Sequence, residues 1–309
     1  MRKSSPPLRS LADTITKAII ERLEAGTRPW IRPWNAAGSS RPLRACGTPY
    51  QGINTLLLWM AAETAGHGSP FWLTYHQAKL LGGKVRKGES GTNAIFYKAY
   101  SKEVEDRETG LVQDEARRVL KSFTVFNACQ VDGLPERFFP APRPLPEPTA
   151  RDLALDMFFT NIPARLRHQG SEAFYEPGAD RITMPDPSAF EDPDHYRATL
   201  AHELSHWTGH DSRLGRSLAG RFGNDAYAVE ELIAELAAAM LGAELGLPVA
   251  HLDHHASYLA SWLKVLKSDS RAILTAAAKA EEACKLLLRL GGRADEAADV
   301  PEDAQRLAA

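Results

Sequence analysis

The residues best suited to chemistry are two histidines and a glutamate in the segment His202-Glu203-Leu204-Ser205-His206. Residues i and i+4 of an α-helix lie one turn apart on the same face, so both imidazoles can ligate one tetrahedral Zn²⁺ at about 2.0–2.1 Å. Glu203 lies beside the first of these ligands, where a carboxylate can act as general base toward a hydrolytic water. The segment therefore predicts a zinc centre with Glu203 as its catalytic residue. The alternative is two surface histidines beside a solvated glutamate.

A third protein ligand is expected from a second glutamate pair further along the chain. Glu231 and Glu235 are also i and i+4, and they lie within an otherwise apolar stretch that includes Leu232, Ile233 and Leu236. One carboxylate can bind the metal while the other orients a ligand imidazole from behind. Glu230 lies about 100° around the helix from Glu231 and is predicted to face away from the metal. The spacing alone leaves open which of Glu231 and Glu235 is the ligand.

The remaining histidines fit a ligand role less well. His210 continues the series at i+8, but Gly209 favours the end of the helix just before it. We therefore predict a helix-end or substrate-side role for His210, as a residue that supports the centre without binding the metal. The cluster His251, His254 and His255 has no regular ligand spacing, and we expect it at the surface.

Helix signals place this chemistry on two long helices. Asp192 followed by Pro193 is a helix start, and that helix is expected to run to about Thr208. A second helix is predicted from Tyr227 to Leu245, where Gly246 can end it. Two short strands are predicted at 173–176 and 181–184, and the second of these is a candidate to pair with an extended peptide. The second half of the chain is thus predicted to be mainly helical.

The first half interleaves aromatic and basic residues. Aromatic faces stack on unpaired bases, and cations between them neutralise phosphates, which together favour single-stranded nucleic acid. Charge agrees with this interpretation, because residues 1–101 contain 14 Lys and Arg against 5 Asp and Glu, whereas the remainder contains 23 against 34. The alternative is that the tryptophans form the core of a small domain. The predicted DNA-binding residues are Arg28, Trp30, Arg32, Trp34, Arg41, Arg44, Tyr50, Trp72, Lys84, Arg86 and Lys87.

The chain of 309 residues is long enough for two domains. Prolines at alternate positions from 140 to 148 predict an extended connector. We therefore expect an α+β domain over 1–138, a Pro-rich linker over 139–150, a mainly helical domain over 151–292 and an acidic tail over 293–309. Apolar runs fall short of the roughly 18 residues that span a bilayer, so no membrane partner is expected. Three widely spaced cysteines suit a reducing compartment, and the expected location is cytoplasmic.

Several separate motifs resemble one known family. Gly26-Thr27-Arg28-Pro29-Trp30, Tyr50-Gln51-Gly52-Ile53-Asn54 and the run GKVRKGESG at 83–91 resemble the N-terminal domain of ArdC-type antirestriction proteins. The run HELSHWTGH at 202–210 and residues 227–241 resemble the zincin-like metallopeptidase domain of the same family. Glu231 with Ala234 and Glu235 also resembles the Glu-x-x-Ala-Asp/Asn pattern of several HExxH peptidases. In those families the first carboxylate is the ligand, which implies Glu231 as ligand and Glu235 as its supporting neighbour.

The resemblance implies an α+β protein of two domains, the first binding single-stranded DNA and the second a mainly helical zincin-like metallopeptidase domain. It implies a plasmid or mobile-element protein, associated with conjugation, that protects incoming DNA from restriction. The expected cofactor is Zn²⁺, with another divalent metal such as Mn²⁺ as the alternative. Two other functions stay open. One is a true zinc peptidase that its DNA-binding half delivers to a protein substrate, and the other is a DNA-binding protein with a purely structural metal site.

Overall fold

The structure is a computed structural model of the chain, and it describes residues 8–30, 41–105, 112–140, 148–247 and 256–293. Within these ranges the first half has three helices and six strands, and the second has six helices and three strands. The α+β class is confirmed. The helices are α1 (Leu8–Glu24), α2 (Ile53–Ala65), α3 (Tyr75–Leu80), α4 (Pro148–Asn161), α5 (Pro193–Trp207), α6 (Ala219–Phe222), α7 (Ala226–Leu245), α8 (Ala256–Ser268) and α9 (Ala272–Leu290). The strands are β1 (Leu43–Arg44), β2 (Phe71–Thr74), β3 (Lys84–Val85), β4 (Thr92–Glu105), β5 (Val112–Asn127), β6 (Val131–Asp132), β7 (Arg165–His168), β8 (Phe174–Glu176) and β9 (Arg181–Met184).

The described part of the first half is built on a four-stranded sheet in the order β1-β2-β5-β4. Strands β4 and β5 form a long antiparallel hairpin, paired from Thr92 opposite Val125 to Glu105 opposite Val112. Strands β3 and β6 pair separately. Helix α3 follows β2 directly because Thr74 and Gln77 form a capping box that satisfies backbone donors on both sides of the helix start. This arrangement places the end of β2, α3 and β3 side by side.

In the described part of the second half, three helices pack around α7, beside a small sheet. Helix α7 is buried along most of its length and contacts α5, α8 and α9. The sheet has the order β7-β9-β8, with β9 parallel to β7 and antiparallel to β8. Strand β9 therefore has a neighbour on both sides. The prediction that it pairs with an extended peptide is wrong, because both of its hydrogen-bonding edges are occupied.

The two halves share one continuous hydrophobic core. Ile19 and Leu23 of α1 and Leu56 of α2 belong to the same buried cluster as the apolar residues of α7, α8 and α9. The Trp30 ring packs edge-on against Trp262 of α8, with ring centroids 5.7 Å apart. The two regions therefore pack against each other along this shared core. The predicted linker also ends early, since α4 begins at Pro148; residues 141–147 lie outside the described part of the chain.

Candidate metal centre

Helices α5 and α7 carry the predicted metal ligands. Helix α5 begins as expected, because the Asp192 side chain accepts a hydrogen bond from the His195 backbone N–H at 2.9 Å and Pro193 occupies the first turn. It packs along α7. This contact brings His202 and His206 of α5 to the carboxylate of Glu231 on α7.

The three side chains have the geometry of a divalent metal site. Nε2 of His202 lies 3.2 Å from Nε2 of His206, and these atoms lie 3.7 and 3.6 Å from the two carboxylate oxygens of Glu231. Bonds of 2.0–2.1 Å in a tetrahedral zinc site place neighbouring ligand atoms about 3.3–3.4 Å apart. The observed separations are close to that value. The three residues therefore fit one ion and leave a fourth coordination position for water or substrate.

Glu235 lies behind the first histidine rather than with the ligand atoms. Its Oε2 is 3.9 Å from Nδ1 of His202, the ring nitrogen opposite the one that faces Glu231. Its side chain is fully buried, and burial raises its pKa although the charges of His202 and Arg28 oppose that shift. Glu235 thus occupies the position predicted for a supporting carboxylate.

Glu230 and Arg216 are two residues near the centre to which the sequence patterns gave no role. Glu230 does not face the ligand cluster, but its Oε1 lies 3.3 Å from Nδ1 of His206. Arg216 donates to both Glu230 oxygens, at 3.1 and 2.5 Å, and also to Thr208 Oγ1 and the Ser205 carbonyl. Arg216 lies in the loop after α5, where no periodic pattern marks it. The two histidines are therefore each backed by a different carboxylate.

The electrostatics of the cluster favour a cation. Burial lowers the pKa of His206, but its hydrogen bonds to Glu230 and Glu231 outweigh that effect and raise it to about 10. Burial also raises the pKa of Glu231, but hydrogen bonds with both histidines more than offset this and lower it overall. Because a metal takes the place of a proton on a ligand imidazole, metal binding here would release protons.

The cluster opens onto a large cleft. The cleft has a volume of about 1810 Å³ and is lined by Glu203, His206, His210, Phe174 of β8 and Tyr227 of α7, among others. His210 lies in the turn after α5, where its Nδ1 is 2.8 Å from Ser212 Oγ. His210 thus borders the cleft just beyond the end of α5. A molecule entering the cleft would meet the open side of the metal cluster and Glu203 together.

Four of the predicted DNA-binding residues are buried, and their assignment as DNA contacts is wrong. Trp30 and Trp72 are each 1% exposed, and Tyr50 and Arg41 are each 4% exposed. Trp30 belongs to the shared core, whereas Trp72 and Tyr50 lie in a smaller cluster of the first half. Arg41 forms a buried ion pair with Glu281 of α9. A buried ring cannot stack on a base. The alternative that the aromatic residues form the core is therefore correct for Trp30, Trp72 and Tyr50.

The other predicted DNA contacts have mixed surroundings. Arg28 is partly buried and bonds to Glu235. Arg86 pairs with Glu89 at 2.7 Å and with Asp132 at 3.4 Å, which offsets its charge. Of the predicted contacts that the structure describes, the exposed cations are Arg44, Lys84, Arg86 and Lys87. Arg32, Trp34 and the histidines at 251, 254 and 255 lie outside the described residues.

In the part of the chain that the structure describes, every helix is too short or too polar to cross a lipid bilayer.

Two family models match the two halves. A model described as the N-terminal domain of anti-restriction factor ArdC matches residues 9–126, and one described as a zincin-like metallopeptidase matches residues 153–279. The second match contains the α5 and α7 cluster. The predicted histidine and glutamate ligands therefore lie in the part of the chain that matches the zincin-like metallopeptidase model.

Relatives of known sequence extend the match over most of the chain. The uncharacterized protein y4eC of Sinorhizobium fredii (strain NBRC 101917 / NGR234) is 40% identical over 276 residues, which cover 87% of this chain and 89% of the relative. DNA primase TraC of Escherichia coli is 41% identical over 289 residues, but these cover only 26% of the primase. The chain thus corresponds to a minor part of that larger protein.

Solved structures agree with the sequence comparisons. The metal-free crystal structure of antirestriction ArdC protein from R388 plasmid is 42% identical, covers 91% of this chain and 98% of that one, and superposes with a TM-score of 0.78. The Mn(II)-bound structure of the same protein superposes with a TM-score of 0.74. The chain matches both domain models, shares the fold of the R388 protein and is 42% identical to it over 91% of its own length. The chain therefore belongs to the ArdC antirestriction family.

Proposed function

We propose that this protein is an antirestriction protein of mobile DNA, with a single-stranded DNA surface in its first half and a divalent metal centre in its second. The observation that carries the metal centre is the convergence of His202, His206 and Glu231 on a wide cleft. Kinship with an antirestriction protein from a plasmid supports the biological role. Protection of incoming DNA against restriction is a function in which both the DNA surface and the metal centre could take part.

The proposed metal is Zn²⁺, with Mn²⁺ as the alternative that the Mn(II)-bound relative supports. Two imidazoles and one carboxylate suit zinc well. A bound ion would supply Lewis-acid polarisation of a substrate carbonyl and would acidify water. Glu203 faces the same cleft and is the proposed general base. In the described residues three ligands converge beside an open cleft, whereas structural zinc sites are usually closed by four, so a hydrolytic centre is favoured over a structural one.

A peptide substrate is the second candidate function, and strand β8 supports it. Among the strands that the structure describes, β8 pairs only with β9, and Phe174 and Tyr175 line the cleft. An extended peptide could therefore add to β8 and pass the metal cluster. We therefore propose that β8, rather than β9, is the strand that pairs with an extended peptide.

Metal analysis after dialysis tests the centre. Wild type should retain about one Zn²⁺ per chain, and the double variant His202→Ala/His206→Ala should retain none. Glu203→Gln should keep the metal, because Glu203 is not a ligand. Glu231→Gln should lose more affinity than Glu230→Gln, since only Glu231 faces both Nε2 atoms. Equal metal content in the double histidine variant would overturn the assignment.

A transfer assay tests the biological role and the chemistry together. Plasmid transfer into restricting cells should be higher with wild type than with no protein. Glu203→Gln should lose this protection if hydrolysis is required, and keep it if protection needs only DNA binding. Full protection by Glu203→Gln would therefore exclude the peptidase as the source of antirestriction. Absence of protection by wild type would overturn the proposed role.

The proposed DNA surface lies on exposed cations and aromatics around β3, α3 and the β4–β5 hairpin. Lys84 and Lys87 are exposed, and Tyr75 at the start of the neighbouring α3 is 62% exposed. Phe96 is 50% exposed and lies opposite the exposed Lys121 across the hairpin. These residues offer what stacking and phosphate binding need, at positions different from the buried tryptophans.

Salt-dependent binding to an oligonucleotide of mixed sequence tests this surface. The double variant Lys84→Ala/Lys87→Ala should weaken binding and lower the salt slope by about 0.7 per lysine. Tyr75→Ala should cost about 1–3 kcal/mol without changing that slope. Lys264→Ala is the control, because this lysine is exposed on α8 in the other half. Equal losses in the control would place the DNA surface elsewhere.

A further inference from the structure

Each ligand histidine is backed by a carboxylate, and each carboxylate is held by an arginine. Behind His206 the pair is Glu230 and Arg216, both from the metallopeptidase half. Behind His202 the carboxylate is Glu235, and the arginine that holds it is Arg28, more than 200 positions earlier in the chain. One of the two supports of the metal centre therefore comes from the first half.

Two side chains from the first half donate hydrogen bonds to the same oxygen of Glu235. Arg28 Nη1 donates to Glu235 Oε1 at 3.1 Å, and Trp30 Nε1 donates to that oxygen at 3.3 Å. The other oxygen, Oε2, is the one that lies 3.9 Å from Nδ1 of His202. The carboxylate is thus fixed at one end by the first half and faces the ligand imidazole with the other.

The Trp30 side chain that bonds to Glu235 is closely packed. The Trp30 side chain is buried in the shared core and packs against Trp262, so its N–H has a fixed direction. Glu235 is completely buried, and its charge needs a nearby cation that Arg28 provides. Removal of either donor would leave a buried carboxylate with fewer partners and more freedom to turn away from His202.

We infer that Arg28 and Trp30 are positioning residues of the metal centre, so that metal affinity depends on how the first half is seated. This inference rests on the proposed metal site. Residues behind a ligand imidazole fix its tautomer and orientation, and their loss typically weakens metal binding 10–100-fold. By linkage, anything that displaces the segment containing Arg28 and Trp30 weakens metal binding, and metal binding strengthens the docking of that segment by the same factor.

Zinc affinity of the full chain, measured by competition with a chromophoric chelator, tests the inference. Arg28→Met and Trp30→Phe should each bind Zn²⁺ more weakly than wild type, by up to the 10–100-fold that loss of the group behind a ligand imidazole typically costs. Arg28→Lys should recover part of the loss, because it returns a cation beside Glu235. The matched control is Arg22→Met. Arg22 also pairs with a glutamate, Glu63, at 2.5 Å and is similarly exposed, but that pair lies outside the metal centre.

A double-mutant cycle separates positioning from general destabilisation. Once Glu235→Gln is present, adding Arg28→Met should change zinc affinity little further, because the path through Glu235 is already lost. Additive losses would show that Arg28 acts elsewhere and would overturn the inference. Wild-type zinc affinity in folded Arg28→Met and Trp30→Phe proteins would overturn it too, while leaving the metal site intact. A wild type that binds no zinc would instead overturn the metal site itself, which makes the two failures distinct.

Discussion

Replacement of Arg41 by methionine should destabilise the fold rather than weaken DNA binding directly. The Arg41 guanidinium is buried and donates to both Glu281 oxygens, at 3.1 and 2.5 Å. It also donates to the Tyr50 carbonyl at 2.8 Å and to Thr55 Oγ1 at 3.1 Å. Glu281 lies on α9, so this ion pair joins the two halves of the chain.

The magnitude follows from the carboxylate that the substitution leaves behind. Glu281 has a side-chain exposure of only 8% and would keep the Gly52 backbone N–H as a donor at 3.0 Å, with the half-exposed Lys285 at the edge of ion-pair range, 4.0 Å away. Breaking a buried pair by removal of one partner costs about 3–5 kcal/mol, because an uncompensated charge stays buried. That is a large fraction of the 5–15 kcal/mol by which native proteins are typically stable. The double variant Arg41→Met/Glu281→Leu should be more stable than Arg41→Met, since it leaves neither member of the pair charged.

Urea unfolding followed by circular dichroism measures this change, with the midpoint of Arg41→Met expected at least about 1 M lower than that of wild type. Arg44→Met is the control, because Arg44 is exposed and its loss should change stability by less than about 0.5 kcal/mol. Folded Arg41→Met protein should bind single-stranded DNA as wild type does. If Arg41→Met is as stable as wild type but binds DNA weakly, Arg41 is a phosphate contact and the buried ion pair is wrong.

Three further changes have defined outcomes. Hydrogen bonds from Arg213 and Tyr175 lower the pKa of Asp180 to about 2. After allowance for solvent screening, ionised Asp180 contributes about 1 kcal/mol to the free energy of unfolding above pH 4, and this contribution is lost between about pH 4 and 2. Acid unfolding of Asp180→Asn should lack this step, and an unchanged profile would contradict the pairing. Gly291→Ala would place a methyl group 2.1 Å from the buried Phe158 ring, so thermal unfolding should show a loss of about 1–3 kcal/mol, and no loss would mean that the ring can move aside. Excess Zn²⁺ at 100 times its Kd should stabilise wild type by about 2.7 kcal/mol but leave the variant without both ligand histidines unchanged, and equal stabilisation of both would place the metal elsewhere.

The sequence by itself predicted the helices of the metal centre and the residues that they carry. Asp192 and Pro193 mark a helix start through local backbone chemistry, and the observed α5 begins there. The spacing of His202 and His206 requires only the helical repeat. Resemblance to a family pattern favours Glu231 over Glu235 as the third ligand, and the structure brings Glu231 to both histidines. Such features depend on neighbours within a few residues, which is why a sequence alone can reveal them.

Tertiary structure decided which charged and aromatic residues are buried. Trp30 and Arg41 have the same sequence signature as a DNA surface, yet their partners are Glu235 and Glu281, more than 200 residues away. Interleaved aromatic and basic residues suit a nucleic-acid groove, but they suit a buried interface equally well when distant carboxylates complete the ion pairs. The sequence did not reveal the role of Glu230 for a related reason. That role depends on contacts with His206 and Arg216, which only the tertiary structure brings together. Local pattern fixes which face of a helix a residue occupies, whereas only long-range packing determines what that face meets.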